Sequence, residues 1–296
     1  MVNHKAGFVN IIGNPNVGKS TLMNTLVGEK LSIISPKAQT TRHRIMGIVN
    51  DPDFQIVYSD TPGIVTPAYK LHDGMMSFVQ SAIEDADCIL FVVEAKDRKI
   101  KNPQIYEGLQ KTEVPVILVI NKIDLLEGNE ILNEEFIYWE ENFPKAEIFP
   151  ISALHKANVP QVLKAILSHL PESEAFFPKD ELTDKTMRFF AGEIIREKIF
   201  NHYQQEIPYA CEVEIEFFKE DTTPAHIMAV INVERETQKG IVIGKGGKKL
   251  KWVGHDARLD IEAFIGKKVF LEMFVKVNKD WKNQPRELRK FGYIQS

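Results

Sequence analysis

The chain has 296 residues, 44% of them hydrophobic and 26% charged, the balance of a globular protein with material for about two domains. Two distant cysteines, Cys88 and Cys211, exclude a disulfide-rich scaffold and a cysteine metal site, and no run approaches the ~18–20 apolar residues of a bilayer-spanning helix. The net charge of −4 is uneven: residues 240–296 hold 13 Lys or Arg against 6 Asp or Glu, a local +7, so the rest carries −11, and an anionic partner is expected at the basic end.

The first residues, 1–7, carry no secretion-signal pattern, so cytoplasmic residence is expected. A strand over 8–12 runs into Gly13-Asn14-Pro15-Asn16-Val17-Gly18-Lys19-Ser20, followed by a helix over 20–27 that includes Thr21. The spacing GxxxxGK[ST] between strand and helix is a phosphate cradle. Its glycines let backbone N–H groups approach a phosphate, and the helix N-terminus adds positive potential. Lys19 reaches the β- and γ-phosphates, and Ser20 ligates Mg²⁺. In the polar stretch that follows, Gln39-Thr40-Thr41-Arg42 offers a threonine, Thr41 in preference to Thr40, to complete the Mg²⁺ shell and sense the γ-phosphate.

A strand over 54–58 leads to Asp60-Thr61-Pro62-Gly63. Asp60 is placed to hold Mg²⁺ through water, and Gly63 to offer its N–H to the γ-phosphate. Strands are expected over 88–93 and 116–120, with helices over 76–84 and 102–111. Asn121-Lys122-Ile123-Asp124 directly follows the last of these strands. A carboxylate there accepts two N–H groups from the edge of guanine, which adenine does not present, so the pattern selects GTP and GDP. After a further strand, 146–150, the amides of Ser152, Ala153 and Leu154 meet the guanine carbonyl. Apolar strands alternating with helices predict a mostly parallel sheet covered on both faces.

A helix over 160–170 closes this first domain, 1–172. The proline-bracketed stretch 173–183 reads as a linker, and a second domain is expected over 184–296. There a helix over 184–203, capped by Thr183 or Asp184, precedes strands over 212–218 and 227–233. Glu212, Glu214 and Glu216 are expected to face water. A strand-like run, Ile241-Val242-Ile243, enters Gly244-Lys245-Gly246-Gly247-Lys248-Lys249, then a helix to 265 and a strand over 269–277. A GxxG loop opening a helix lets a nucleic-acid backbone approach, while the lysines neutralise phosphates and apolar residues such as Ile241, Ile243 and Leu250 line a groove for about four bases. Trp281 and Arg286, in a basic and aromatic tail, extend that contact or belong to a packed terminus. His43 and His255 read as surface or packing residues.

These segments, in this order, resemble a Ras-like GTPase domain, and the whole chain resembles the Era family of bacterial GTPases through its Gly-Asn-Pro-Asn-Val-Gly-Lys-Ser loop, its Gln-Thr-Thr-Arg-His-Arg at 39–44 and its appended domain. The resemblance implies an α/β P-loop GTPase domain with a mostly parallel sheet, followed by an α+β KH domain of type II. It implies a monomer that hydrolyses GTP, binds the 3′ end of 16S ribosomal RNA and assists assembly of the 30S ribosomal subunit. The alternative is a membrane-associated signalling GTPase with its basic end on anionic lipid, and peripheral membrane contact is a further expectation. One departure matters. Ile64 stands where Ras-like GTPases commonly have a water-orienting glutamine, so catalysis falls to Lys19, Thr41 and the Gly63 backbone, and intrinsic turnover is expected to be slow. By resemblance, Asn16 also helps bind K⁺.

Overall fold

The computed structural model describes residues 4–99 and 101–294, so the outermost positions of the domain assignment, 1–3 and 295–296, lie outside it. The described chain forms two compact units.

The first unit is built on β1 (Lys5–Gly13), α1 (Lys19–Val27), β2 (Ile45–Asn50), β3 (Phe54–Asp60), α2 (Lys70–Glu84), β4 (Cys88–Glu94), α3 (Pro103–Lys111), β5 (Val116–Asn121), α4 (Asn129–Asn142), β6 (Glu147–Pro150) and α5 (Val159–His169). Its sheet has the order β2-β3-β1-β4-β5-β6, with β2 antiparallel to β3 and every other pair parallel. The central strands read as unbroken apolar runs because helices cover both faces: Val9, Ile11 and Ile12 of β1 and Ile117–Ile120 of β5 are wholly buried. Phe91, Tyr106, Trp139 and Phe143 close one side of the core through edge-to-face and tilted ring contacts. In an open parallel sheet, ligands bind beyond the carboxyl ends of the strands. That end carries the loop after β1, Asp60 at the end of β3, Asn121 at the end of β5 and Ser152 after β6.

The segment expected as a linker is held against this first unit. Phe176 and Phe177 N–H groups both donate to Gln55 Oε1, and Ile48 N–H donates to the Leu182 carbonyl. Thr183 and Asp184 do not cap the next helix. They bind β2 instead: Thr183 Oγ1 donates to the Met46 carbonyl, and Asp184 accepts from Met46 N–H. The helix begins three residues later, with Thr186 accepting from Phe189 N–H as its N-cap.

The second unit comprises α6 (Met187–His202), the one-turn α7 (Ile207–Ala210), β7 (Glu212–Lys219), β8 (Ala225–Val233), α8 (Glu236–Ile243), α9 (Lys248–Ile265), β9 (Val269–Val277) and α10 (Pro285–Lys290). β7 pairs antiparallel and β9 parallel with the central β8. One face of this sheet packs on α6 and α9 through Ile195, Ile199, Ile227, Ile231, Val253 and Ala257. The run 241–243, expected as strand-like, is the last turn of α8: three β-branched residues with only Val242 fully buried look like a strand, but they continue the helix that starts at Glu236. Glu212 does not face water. It is 5% exposed and accepts a hydrogen bond from the buried Tyr293 hydroxyl, because the C-terminal segment covers that end of the sheet.

Candidate functional site

The loop Gly13–Ser20 leaves the end of β1 and opens α1. Gly18 sits at φ 97°, and a Cβ there would lie 2.2 Å from Asn121 Nδ2, so two parts of the site are brought together only because position 18 is glycine. Asn121 is the keystone of the base end. Its amide donates to the Val17 carbonyl at 2.8 Å, and its oxygen accepts from Ala153 N–H at 2.9 Å. One buried side chain thus ties the Gly13–Ser20 loop to both segments expected to read guanine. Asp124 follows in a short turn after β5, and Ser152 and Ala153 are buried while Leu154 is exposed.

Lys19 is 6% exposed and donates to the carbonyls of Gly13 and Asn14, at 3.1 and 2.9 Å. Burial lowers its pKa to about 8, with the nearby Asp60 charge opposing that shift and Lys101 adding to it. Asp60 is fully buried. Burial pushes its pKa up, while Lys19 and the hydroxyls of Ser20, Ser32 and Thr41 pull it down. Ser20 Oγ donates to Asp60 Oδ2 at 2.6 Å, and Thr41 Oγ1 lies 2.9 Å from Ser20 Oγ and 3.2 Å from the same carboxylate oxygen. Asp60 Oδ1 is buried with no hydrogen-bond partner. Two hydroxyls and a carboxylate with an unspent oxygen form an all-oxygen donor set, which fits Mg²⁺. The Thr40 hydroxyl donates to the Lys37 carbonyl.

Gly63 lies against the loop: a Cβ on it would sit 2.7 Å from Pro15, and Ile64 N–H donates to the Gly13 carbonyl at 3.0 Å. Ile64 itself is 4% exposed and packs into the core. Arg44 is committed to Asp85 at 2.6 Å, and Arg42 is buried. Asn14 reaches the Lys99 carbonyl, Asn16 is exposed at φ 68°, and Thr21 lies in the first turn of α1.

Sequence reasoning missed Glu94 and His155. Glu94 ends β4, opposite Asn121 in register, and its carboxylate meets Lys122 Nζ at 2.7 Å. His155 Nε2 lies 3.8 Å from Asp124 Oδ2. Neither belongs to a motif, and only the pairing of β4 with β5 and the loop after β6 bring them to the base end.

In the second unit, the GxxG glycines adopt positive φ at Gly244, Gly246 and Gly247. A Cβ on Gly244 would meet the Lys249 side chain at 2.9 Å, whereas Gly247 faces open space at the start of α9. Beside them a cavity of about 490 Å³ is lined by Gly247, Leu250, Lys251, Gly254, His255, Arg258, Leu271 and Met273. The groove therefore runs between α9 and β9. Of the apolar residues expected to line it, only Leu250 does so. Ile241 is exposed and Ile243 half-buried on α8. Lys245, Lys248 and Lys249 are exposed at its mouth. Trp281 is fully buried, with its indole N–H donating to the Ala210 carbonyl, so it is a packing residue and not a stacking surface. Arg286 is exposed on α10.

The family model described as a 50S ribosome-binding GTPase matches residues 8–122, and the KH-domain model matches residues 206–282. Two solved structures align along nearly the whole chain. One is Era in complex with MgGDPNP and nucleotides 1506–1542 of 16S ribosomal RNA, at 42% identity and a TM-score of 0.94, covering 98% of this chain and 99% of that one. The other is a tyrosine-to-alanine variant of Aquifex aeolicus Era bound to GDP·AlF4⁻, at 42% identity and a TM-score of 0.93 over the same shares.

Proposed function

Because this chain belongs to the Era family, we propose that it is a GTP phosphohydrolase that binds the 3′ end of 16S ribosomal RNA through its KH domain and acts as a GTP-controlled factor in assembly of the 30S subunit. The single observation that carries the reading is Asn121, whose side chain joins the phosphate loop to the guanine-reading turn and to the loop after β6. Guanine specificity comes from Asp124, which accepts two N–H groups of the base. Lys122, Ser152, Ala153 and Leu154 complete the base end, and Gly13, Asn14, Val17, Gly18 and Thr21 complete the phosphate end.

In hydrolysis, water attacks the γ-phosphorus, the bond to the β,γ-bridging oxygen breaks, and GDP and phosphate leave. Lys19 turns its ammonium from two loop carbonyls to the β- and γ-oxygens and offsets the charge that moves onto the leaving group. Ser20, Thr41 and Asp60 hold Mg²⁺, which neutralises phosphate charge when bound. Gly63 supplies an N–H to the γ-phosphate, and its missing side chain allows that loop to lie against Pro15. The apolar Ile64 orients no water, Arg44 is paired with Asp85 and Arg42 is buried, so turnover without an activator is slow. Asn16 at the loop rim is the proposed K⁺ contact; equal rates in K⁺ and Na⁺ would discard that part.

On the RNA side, Gly244–Gly247 admits the backbone, Lys245, Lys248 and Lys249 neutralise phosphates, and the groove between α9 and β9 takes about four bases. Residence in the cytoplasm, action as a monomer and binding to the whole 30S subunit belong to the same proposal. No helix among the described residues is long and apolar enough to cross a membrane; peripheral contact with anionic lipid is tested by liposome flotation with RNA as competitor. The reading as a whole is tested by crosslinking the protein to total RNA with a GTP analogue bound. Recovery of the 16S 3′ end supports it, and recovery of no enriched RNA contradicts it.

A further inference from the structure

Three tryptophans occur in the chain, and two of them are packing residues: Trp139 is 3% exposed and Trp281 is fully buried. The third, Trp252, is 60% exposed on the second turn of α9. Its exposed ring is a flat apolar face open to a ligand. The helix assigns its surroundings. Val253, Ala257 and Ile261 form the buried face, while Lys251, Gly254, His255 and Arg258 turn toward the groove. Trp252 lies on the outward face of α9, three residues before the groove-lining His255. At helical spacing its neighbours are Lys248 and Lys249 on one side and His255 and Asp256 on the other.

The charge around it is complementary to a polyanion. Lys248, Lys249 and Lys251 are exposed in the same two turns, and Lys245 is exposed in the adjoining loop. The carboxylate one turn further along the helix, Asp256, is already engaged by two imidazoles, His202 Nε2 at 2.7 Å and His255 Nδ1 at 3.1 Å. An aromatic face set among lysines, one helical step from a residue that lines the groove, is an arrangement that can stack one more base.

We propose that Trp252 is a stacking platform for the nucleobase adjoining the groove-bound segment of a single-stranded RNA, so that the site reads the strand beyond the groove. This rests on the KH-domain reading above. The aromatic face holds the base, Lys248 and Lys249 hold the flanking phosphates, and the groove holds the rest of the strand.

Trp252 is the exposed one of the three indoles, so its emission reports the contact directly. The test uses the full chain, the W252A and W252F variants, and the double variant K245D/G246D. Each is titrated with a fragment of the 16S 3′ end of about four nucleotides and with fragments roughly three nucleotides longer on either side. One of the longer fragments is expected to quench wild-type emission and to bind W252A about tenfold more weakly, with most of the loss restored in W252F; the shortest fragment is expected to bind W252A as it binds wild type. The K245D/G246D variant should lose every fragment. If that loss occurs but W252A binds all fragments like wild type and none quenches emission, the platform is refuted and the groove stands. If K245D/G246D binds RNA normally, the groove reading itself is refuted. If W252A loses affinity for intact 30S subunits but for no fragment, the indole contacts protein, and the inference is overturned.

Discussion

Burying Lys19 costs stability in the free protein, a cost that nucleotide phosphates are expected to offset. In the free protein its pKa is lowered from 10.5 to about 8 by burial, so the folded chain releases that proton before the unfolded chain does. Stability contributed by this group therefore rises with pH between those values. Nucleotide phosphates favour the charged form and raise the pKa again, so binding above about pH 8 takes up a proton. GDP affinity should then fall by up to tenfold per pH unit as pH rises through that value, whereas Lys19→Met should bind weakly with a flatter profile; titration calorimetry from neutral pH upward checks the sign. At the base end, Asp124→Asn replaces an acceptor by a donor. GTP affinity should drop by about tenfold to hundredfold while xanthosine triphosphate, with a carbonyl in place of the amino group, gains; competition binding reads both. The motifs that suggest these roles are legible in the sequence because they pair fixed spacing with fixed chemistry. Glu94 and His155 were not, since each reaches the site only through tertiary pairing.

At the scale of elements, legibility followed burial. The wholly buried runs of β1, β4 and β5 announced themselves as continuous apolar stretches. β2 did not, being a short antiparallel edge strand with Gly47 in its middle. α4 was missed because its acidic sequence buries only Glu135 and Trp139, which leaves no apolar stripe. The start of α6 was misjudged because Thr183 and Asp184 serve β2 as binding partners, and the cap falls to Thr186. Thr186→Ala should therefore cost about 1 kcal/mol and lower the melting temperature of the second unit, measured by circular dichroism with GDP affinity unchanged. Gly63→Ala tests a different element. With Pro15 2.7 Å from the added carbon, the loop is pushed from the phosphate site, and hydrolysis should fall by about tenfold or more while GDP affinity changes little.

At the scale of the whole molecule, acidic and basic ends divide two chemistries: a fixed nucleotide site in one unit and a charge-driven strand site in the other. RNA affinity should fall with salt at a slope of about −0.7 for each phosphate neutralised, and replacing Lys245, Lys248 or Lys249 singly by Ala should lessen that slope by about that amount. Control by GTP is a coupling free energy, so RNA affinity should differ between the GDP and GTP-analogue states, and equal affinities would leave two independent binders. The domain order, the parallel sheet and the GxxG loop were legible along the chain. The true groove lining was not, because Leu271 and Met273 come from β9, more than twenty residues beyond the loop.

Guanine selection at the site organised by Asn121 is the claim on which the rest stands, and calorimetric titration of the full chain with GDP and with ADP tests it most directly. The account predicts saturable GDP binding with ADP weaker by about a hundredfold. Equal affinity for the two nucleotides would contradict it.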